Sequence, residues 1–334
     1  MNLLPSADER FPVMEERSRS SELFCEEPFR IFFPTGLLLG IAGVSLWLLF
    51  YLGEPIDYPN ISHARLMIEG FMASFIFGFL GTAGPRITSA PHFSRQEVVA
   101  IFTLDLLAAG LHVSGAHRAG DLCFLLCLLF FARTIGIRFQ QRKDSPPPNF
   151  VLVMLGLLSG IAGAALLAYS ETAQFSSAYQ LGSALLHEGF VLLPILGVGP
   201  FFLGRLLDLP DPDFPESRAF PPGWFQQAAF PALVGLTIIA SFFLEAFAQP
   251  AIGRWLRAAT IVSYLAGRVP FRGRTFLANC LRAALISIAA GFVVVALFPT
   301  YRVGALHIVF ITGFNFIVFT VAIRVVFGLG KPAR

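Results

Sequence analysis

Residues Ile61 to Arg86 read ISHARLMIEGFMASFIFGFLGTAGPR. The stretch is long enough to cross a bilayer, which takes about 20 residues of helix. Yet His63, Arg65 and Glu69 stand in its first turns. A charge at membrane depth costs about 2.5–3.5 kcal/mol on insertion scales, so such residues face a protein interior and carry a role. Arg65 and Glu69 are four apart, on one face of a helix, where opposite charges neutralise each other. His63 shares a second face with Gly70, Ser74, Gly78 and Gly81. A strip of small residues lets another helix, or a flat cofactor, lie close to the backbone. The stretch therefore predicts a transmembrane helix that forms one wall of a site.

Composition extends that reading to the whole chain. Of 334 residues, 55% are hydrophobic, 13% are charged and 37 are Phe, and the mean hydropathy is +0.70. Soluble domains carry about 25% charged residues, so this is an integral membrane protein whose first partner is the lipid bilayer. A net charge of only +3 argues against a nucleic-acid partner. The four cysteines (Cys25, Cys123, Cys127, Cys280) form no CxxC pair. Cys123 and Cys127 lie one turn apart in an apolar run, where packing is the expected role.

Apolar runs predict spans at about 35–52, 63–84, 98–113, 122–137, 150–169, 179–203, 225–247, 252–266, 276–297 and 303–327. That makes about ten, with eight to ten as the range because the eighth is short. Lengths this regular predict an all-α polytopic bundle, since a barrel would show alternation in segments of about ten. Residues 1–33 read as a polar cytoplasmic tail, 34–328 as the transmembrane domain and 329–334 as a second cytoplasmic tail. Near the end of the first tail, Pro28 and Pro34 bracket an aromatic cluster suited to the bilayer interface. Arginines and lysines crowd the termini and the loops after spans two, four, six and eight, which predicts both termini in the cytoplasm. Arg254 and Arg257, at the start of span eight, run against this pattern.

That orientation sorts the histidines. His63, His112, His117, His187 and His307 fall on the outer side, and only His92 on the inner. The ordinary reading of each is an interfacial imidazole bonded to a carbonyl or to water. The sharper reading is that several converge, because neutral imidazole is a common ligand of haem iron and copper. Spans two, six and ten supply His63, His187 and His307, with His112 in reserve. Met67, one turn after His63, is a soft-ligand candidate whose commoner role is packing. Asp105, in mid-span, reads as a bond across helices, with a proton path as the other reading. Glu188 follows His187, but adjacent helical residues point about 100° apart. Arg282 and Arg324 read as snorkelling anchors. Glu69-Gly70-Phe71, Glu188-Gly189-Phe190 and Thr312-Gly313-Phe314 recur four spans apart, as parallel repeats would.

Several motifs resemble the NnrS family. Pro28-Phe29-Arg30-Ile31-Phe32-Phe33 and His63-Ala64-Arg65-Leu66-Met67, followed by Gly70-Phe71 and Gly78-Phe79-Leu80, are similar to that family's opening. Gly197-Val198-Gly199-Pro200-Phe201-Phe202 is similar to a segment of its middle. His307 through Gly313, and Arg324-Val325-Val326-Phe327-Gly328, resemble its closing elements. The resemblance implies a bacterial inner-membrane protein that holds haem b and copper and is tied to nitric oxide and nitrosative stress. The chain departs where the family has a second His and a Glu, here Arg65 and Leu66, and at Leu329, where the family has a His. Only His63 and His307 match family ligand positions.

The expectation is thus a helical bundle with an outer-half haem or metal site around His63 and His307, able to bind a diatomic such as nitric oxide. His187 is the added cofactor candidate and His112 the added metal candidate. No nucleophile, general acid–base pair or phosphate loop stands out, so no enzyme is expected. The alternative is a secondary transporter or permease, with Arg65, Glu69, Asp105 and Glu188 lining a polar path and Pro194 breaking span six. A third reading is a membrane scaffold without a cofactor.

Overall fold

The structure is a computed structural model that describes residues 23–170, 176–206, 217–266 and 275–329. Ten helices follow one another, with no strand among the described residues. They are α1 (Phe29–Tyr51), α2 (Asn60–Ile87), α3 (Arg95–Val113), α4 (His117–Gln141) and α5 (Phe150–Ser170). After these come α6 (177–206), α7 (Trp224–Phe247), α8 (Pro250–Ala266), α9 (Phe276–Leu297) and α10 (299–329). Nine are long and apolar enough to cross a membrane, and α8, at 17 residues, is the short one. The chain is an all-α membrane bundle. Most of the two expected tails (1–22 and 330–334) and the side chain of Arg324 lie outside the described residues.

Helix α1 begins six residues before the expected span and takes Pro34 into its second turn. The aromatic cluster packs inside the bundle, with Phe29, Phe32 and Phe33 all buried. The glycine strip of α2 makes the room. A Cβ on Gly78 would lie 3.0 Å from Phe29 Cα, and one on Gly81 would lie 3.3 Å from Pro28. Phe33 stacks on Phe75 at 4.6 Å, and aromatic contacts of this kind add about 0.5–1.5 kcal/mol beyond burial. The strip thus receives a helix, α1. Arg282, expected to snorkel, is also buried and donates to Asn279 Oδ1 at 2.8 Å.

The packing repeats every four helices. Helix α1 packs on α2 and α3 on α4; α5 packs on α6 and α7 on α8; α9 on α10 repeats the first pair again. The backbone carries the same period. A wide π-helical turn occupies Leu66–Met72 in α2, Ala184–Gly189 in α6 and Ile308–Asn315 in α10. These turns hold the glycines of the three Gly-Phe motifs. Such turns occur often at functional sites, and each swings the residues beyond it onto a new face. In α2, His63 and Met67 lie against Gly43 of α1, while Arg65 and Glu69, two residues further along, face α3 and α4.

The side chains that follow gather where α2, α4, α6, α8 and α10 begin, which we call the His63 end. Toward the opposite, Arg86 end, an apolar cavity of about 90 Å³ lies between α1, α2, α6, α9 and α10. Phe33, Phe75, Val191, Pro194 and Ile317 are among its walls, and no ionisable side chain lines it. At the Arg86 end Glu27 binds Arg30 and Arg86, and Glu97 binds Arg138, which closes the bundle there.

Candidate functional site

Two buried polar clusters occupy the His63 end. The first is centred on Arg65, whose side chain is 2% exposed. Its Nε donates to Asp121 Oδ1 at 2.6 Å and its Nη2 to Asp121 Oδ2 at 3.2 Å. The same Nε lies 3.1 Å from Glu69 Oε1, so the expected i,i+4 pair forms. Nη1 donates to His187 Nε2 at 2.9 Å, which ties α2 to α6. On the far side of Glu69, Oε2 lies 2.9 Å from His112 Nε2, a separation that holds one shared proton. His117 stacks on His112 at 5.8 Å. One guanidinium thus joins two carboxylates and an imidazole from three other points of the bundle.

The second cluster stands one repeat further along. Glu188, on the π-helical turn of α6, accepts from Arg302 Nη2 at 2.6 Å and lies 3.4 Å from Arg257 Nε. Glu245, near the end of α7, accepts from Arg257 Nη2 at 2.7 Å and from Arg302 Nη1 at 3.0 Å. Arg254 lies 3.6 Å from the same carboxylate. Glu188 occupies the place in α6 that Glu69 occupies in α2. In both units an acid on the wide turn meets partners from the helix pair that follows. The two clusters meet at α6, where His187 and Glu188 are adjacent and, about 100° apart, serve different faces.

The expected site residues divide among these surroundings. Arg65, Glu69, His112 and His187 come together in the first cluster. Glu188 belongs to the second. Asp105 is buried apart from both and accepts from Ser74 Oγ at 2.7 Å, a bond between α3 and α2. The polar path of the transporter reading is therefore not one connected set among the described residues. His63 bonds through Nδ1 to Gly43 O at 3.0 Å and meets the Trp47 ring edge-on at 5.9 Å. His307 is exposed, and its Nδ1 bonds to Val303 O of its own helix at 2.7 Å. The hydrogen bonds of His63, His187 and His307 all go to other residues. Asp121, Glu245, Arg257 and Arg302 were not singled out as site residues. Asp121 fell in a loop because the expected span four began at Leu122, five residues after the helix starts, and Arg257 showed only as an exception to the charge rule.

Ring chemistry decides which imidazoles suit a metal. A carbonyl only accepts, so Nδ1 of His63 and of His307 carries the proton, and Nε2 keeps its lone pair. Metal-bound histidines commonly have this arrangement, with the second nitrogen donating to a carbonyl. Both residues therefore fit as iron ligands. His187 does not, because a guanidinium has no acceptor and the Nε2 lone pair is spent on Arg65. Ligand atoms of Glu69, His112 and Asp121 lie within 4.8 Å of one another, close enough to share an ion. But Arg65 already fills that point with a fixed positive charge, and a proton lies between His112 and Glu69. A copper ion there would have to displace both. That donor set fits an internal organic cation, and it does not fit copper.

The family model described as NnrS protein matches residues 23–331, nearly the entire chain. No curated protein matches, and no solved structure does.

Proposed function

The chain belongs to the NnrS family, and from that premise we propose that it is a haem-binding protein of the bacterial inner membrane that serves the response to nitric oxide. His63 and His307 are the proposed iron ligands, both termini are cytoplasmic, and the His63 end faces outward. The observation that carries the reading is the shared ring orientation, in which Nδ1–H is anchored to a carbonyl and Nε2 is left to bind iron. Haem b held there would supply an iron able to bind a diatomic such as nitric oxide. The protein's own residues do the positioning. Gly43 and Trp47 hold the His63 ring from α1, and Met67 packs on the same glycine. Arg65, two residues on and on another face, is neutralised by Glu69 and Asp121 and supports the wall. Copper has no place in the proposal, since the donor set that would take it is filled.

The protein purified in detergent is expected to show a Soret band that weakens in His63→Ala or His307→Ala. A colourless preparation, without iron by elemental analysis, would sink the haem reading. One observation favours the transporter reading instead: the wide turns of α2, α6 and α10 recur at equivalent points of a parallel repeat, as in many carriers. Uptake of a solute by proteoliposomes, from a preparation without iron, is the result that would establish it.

A further inference from the structure

Three arginines lie at the His63 end against the charge pattern of the rest of the chain: Arg254, Arg257 and Arg302. The positive-inside rule gives them no reason to be there. The fold gathers all three around Glu245, each within 3.6 Å of its carboxylate. Glu188 is the second acid present, bound by Arg302 and facing Arg257. Three guanidinium groups thus meet two carboxylates, which leaves one positive charge in excess. The first cluster has the opposite excess. Its carboxylates, however, are held by Arg65 and His112, and among the described residues they touch neither Arg254 nor Arg257.

The excess coincides with unused donors. The Arg257 side chain is 0% exposed, and its Nη1 has no hydrogen-bond partner. The buried Nε of Arg254 has none either. Arg257 is also flanked by the Phe242 and Phe292 rings, at 4.9 and 5.6 Å from its Cζ. The rings give it attraction but no acceptor. A buried charged donor left unpaired costs more than almost any other defect of packing, and such atoms in a native fold signal an unseen water or ion. A water would satisfy the hydrogen bond and leave the charge. An anion satisfies both.

We propose that Arg254, Arg257 and Arg302 form a binding site for one small monovalent oxyanion, of the size of nitrate or nitrite, at the His63 end of α8 and α10. The two unpaired donors, Arg257 Nη1 and Arg254 Nε, would each take one oxygen of the anion, which favours an oxyanion over a spherical halide. The partly exposed side chains of Arg302, at 34%, and Arg254, at 16%, give the way in from the surface. Glu188 and Glu245 fix the three arginines and limit the charge, so a divalent anion is disfavoured.

The test is calorimetric titration of the detergent-purified protein with sodium nitrate, in sodium gluconate buffer. A saturable one-site heat is expected. Arg254→Gln and Arg302→Gln should each weaken it about tenfold or more, the effect of losing a charge-assisted hydrogen bond. Both side chains are partly exposed, and circular dichroism verifies that the variants fold. Chloride binding more tightly than nitrate, no saturable heat from folded protein, or binding unchanged in both variants overturns the proposal. So does binding of phosphatidylglycerol in place of nitrate. The result is independent of haem, because a colourless preparation can be titrated in the same way.

Discussion

Asp121→Asn tests the first cluster most directly. The change keeps the size of the side chain and removes its charge. Asp121 receives two bonds from Arg65, at 2.6 and 3.2 Å, and both partners are at most 2% exposed. An asparagine offers one acceptor and turns an NH2 group toward a guanidinium that has only donors. Removing one partner of a buried pair in this way costs about 3–5 kcal/mol, because the remaining charge loses its compensation. The comparison is Glu27→Gln at the Arg86 end, whose partners Arg30 and Arg86 are 42% and 33% exposed. Glu27 itself is buried, but the arginines it would leave behind reach water, so the loss should be smaller than for a pair buried on both sides. Unfolding in mixed detergent–SDS micelles should therefore separate the two variants clearly. Arg65→Met combined with Asp121→Asn should be less destabilised than the sum of the single changes, because Glu69 keeps His112. An Asp121→Asn protein within about 1 kcal/mol of the original would refute the claim that this ion pair holds α2 to α4.

Glycine substitutions and labelling supply further checks. Gly163→Ala should cost about 1–3 kcal/mol, since its Cβ would lie 2.6 Å from the Leu186 backbone nitrogen, which cannot yield. Gly84→Ala should be neutral or stabilising by about 0.5–1 kcal/mol, because nothing lies within 4 Å of its Cβ. Both are read by thermal unfolding in detergent. In cells whose chain has its four cysteines replaced by Ser, a cysteine at exposed Glu54 should react with a membrane-impermeant maleimide. One at exposed Lys143 should not react, and the reverse pattern would overturn the orientation.

The bundle was legible in the sequence because burial in lipid leaves a long-range signal. Runs of about 20 apolar residues gave ten helices at nearly the right limits, including the doubtful eighth. The helix that opens at Asn60 was legible for a local reason, since Arg65 and Glu69 were too charged for their depth unless paired. The partners were not legible. Asp121 is 56 residues from Arg65, and Glu188 is 114 from Arg302, separations over which a single sequence carries no contact signal. The small strip of α2 was read correctly as a close-packing face, but only the structure shows that α1 fills it. Short Gly-Phe matches carry little weight by themselves in a chain with 30 Gly and 37 Phe. The wide turn at each copy gave the repeat weight.

The two clusters together contain Arg65, Arg254, Arg257 and Arg302 with Glu69, Asp121, Glu188 and Glu245, four charges of each sign. A membrane potential does work on net charge that moves through it, about 2.3 kcal/mol per charge per 100 mV. A balanced layer of this kind feels none when it moves as a body. Whatever rearrangement moves this layer as a body, voltage does not drive it while the layer stays paired. One bound anion would end that balance, and with it the indifference to the potential.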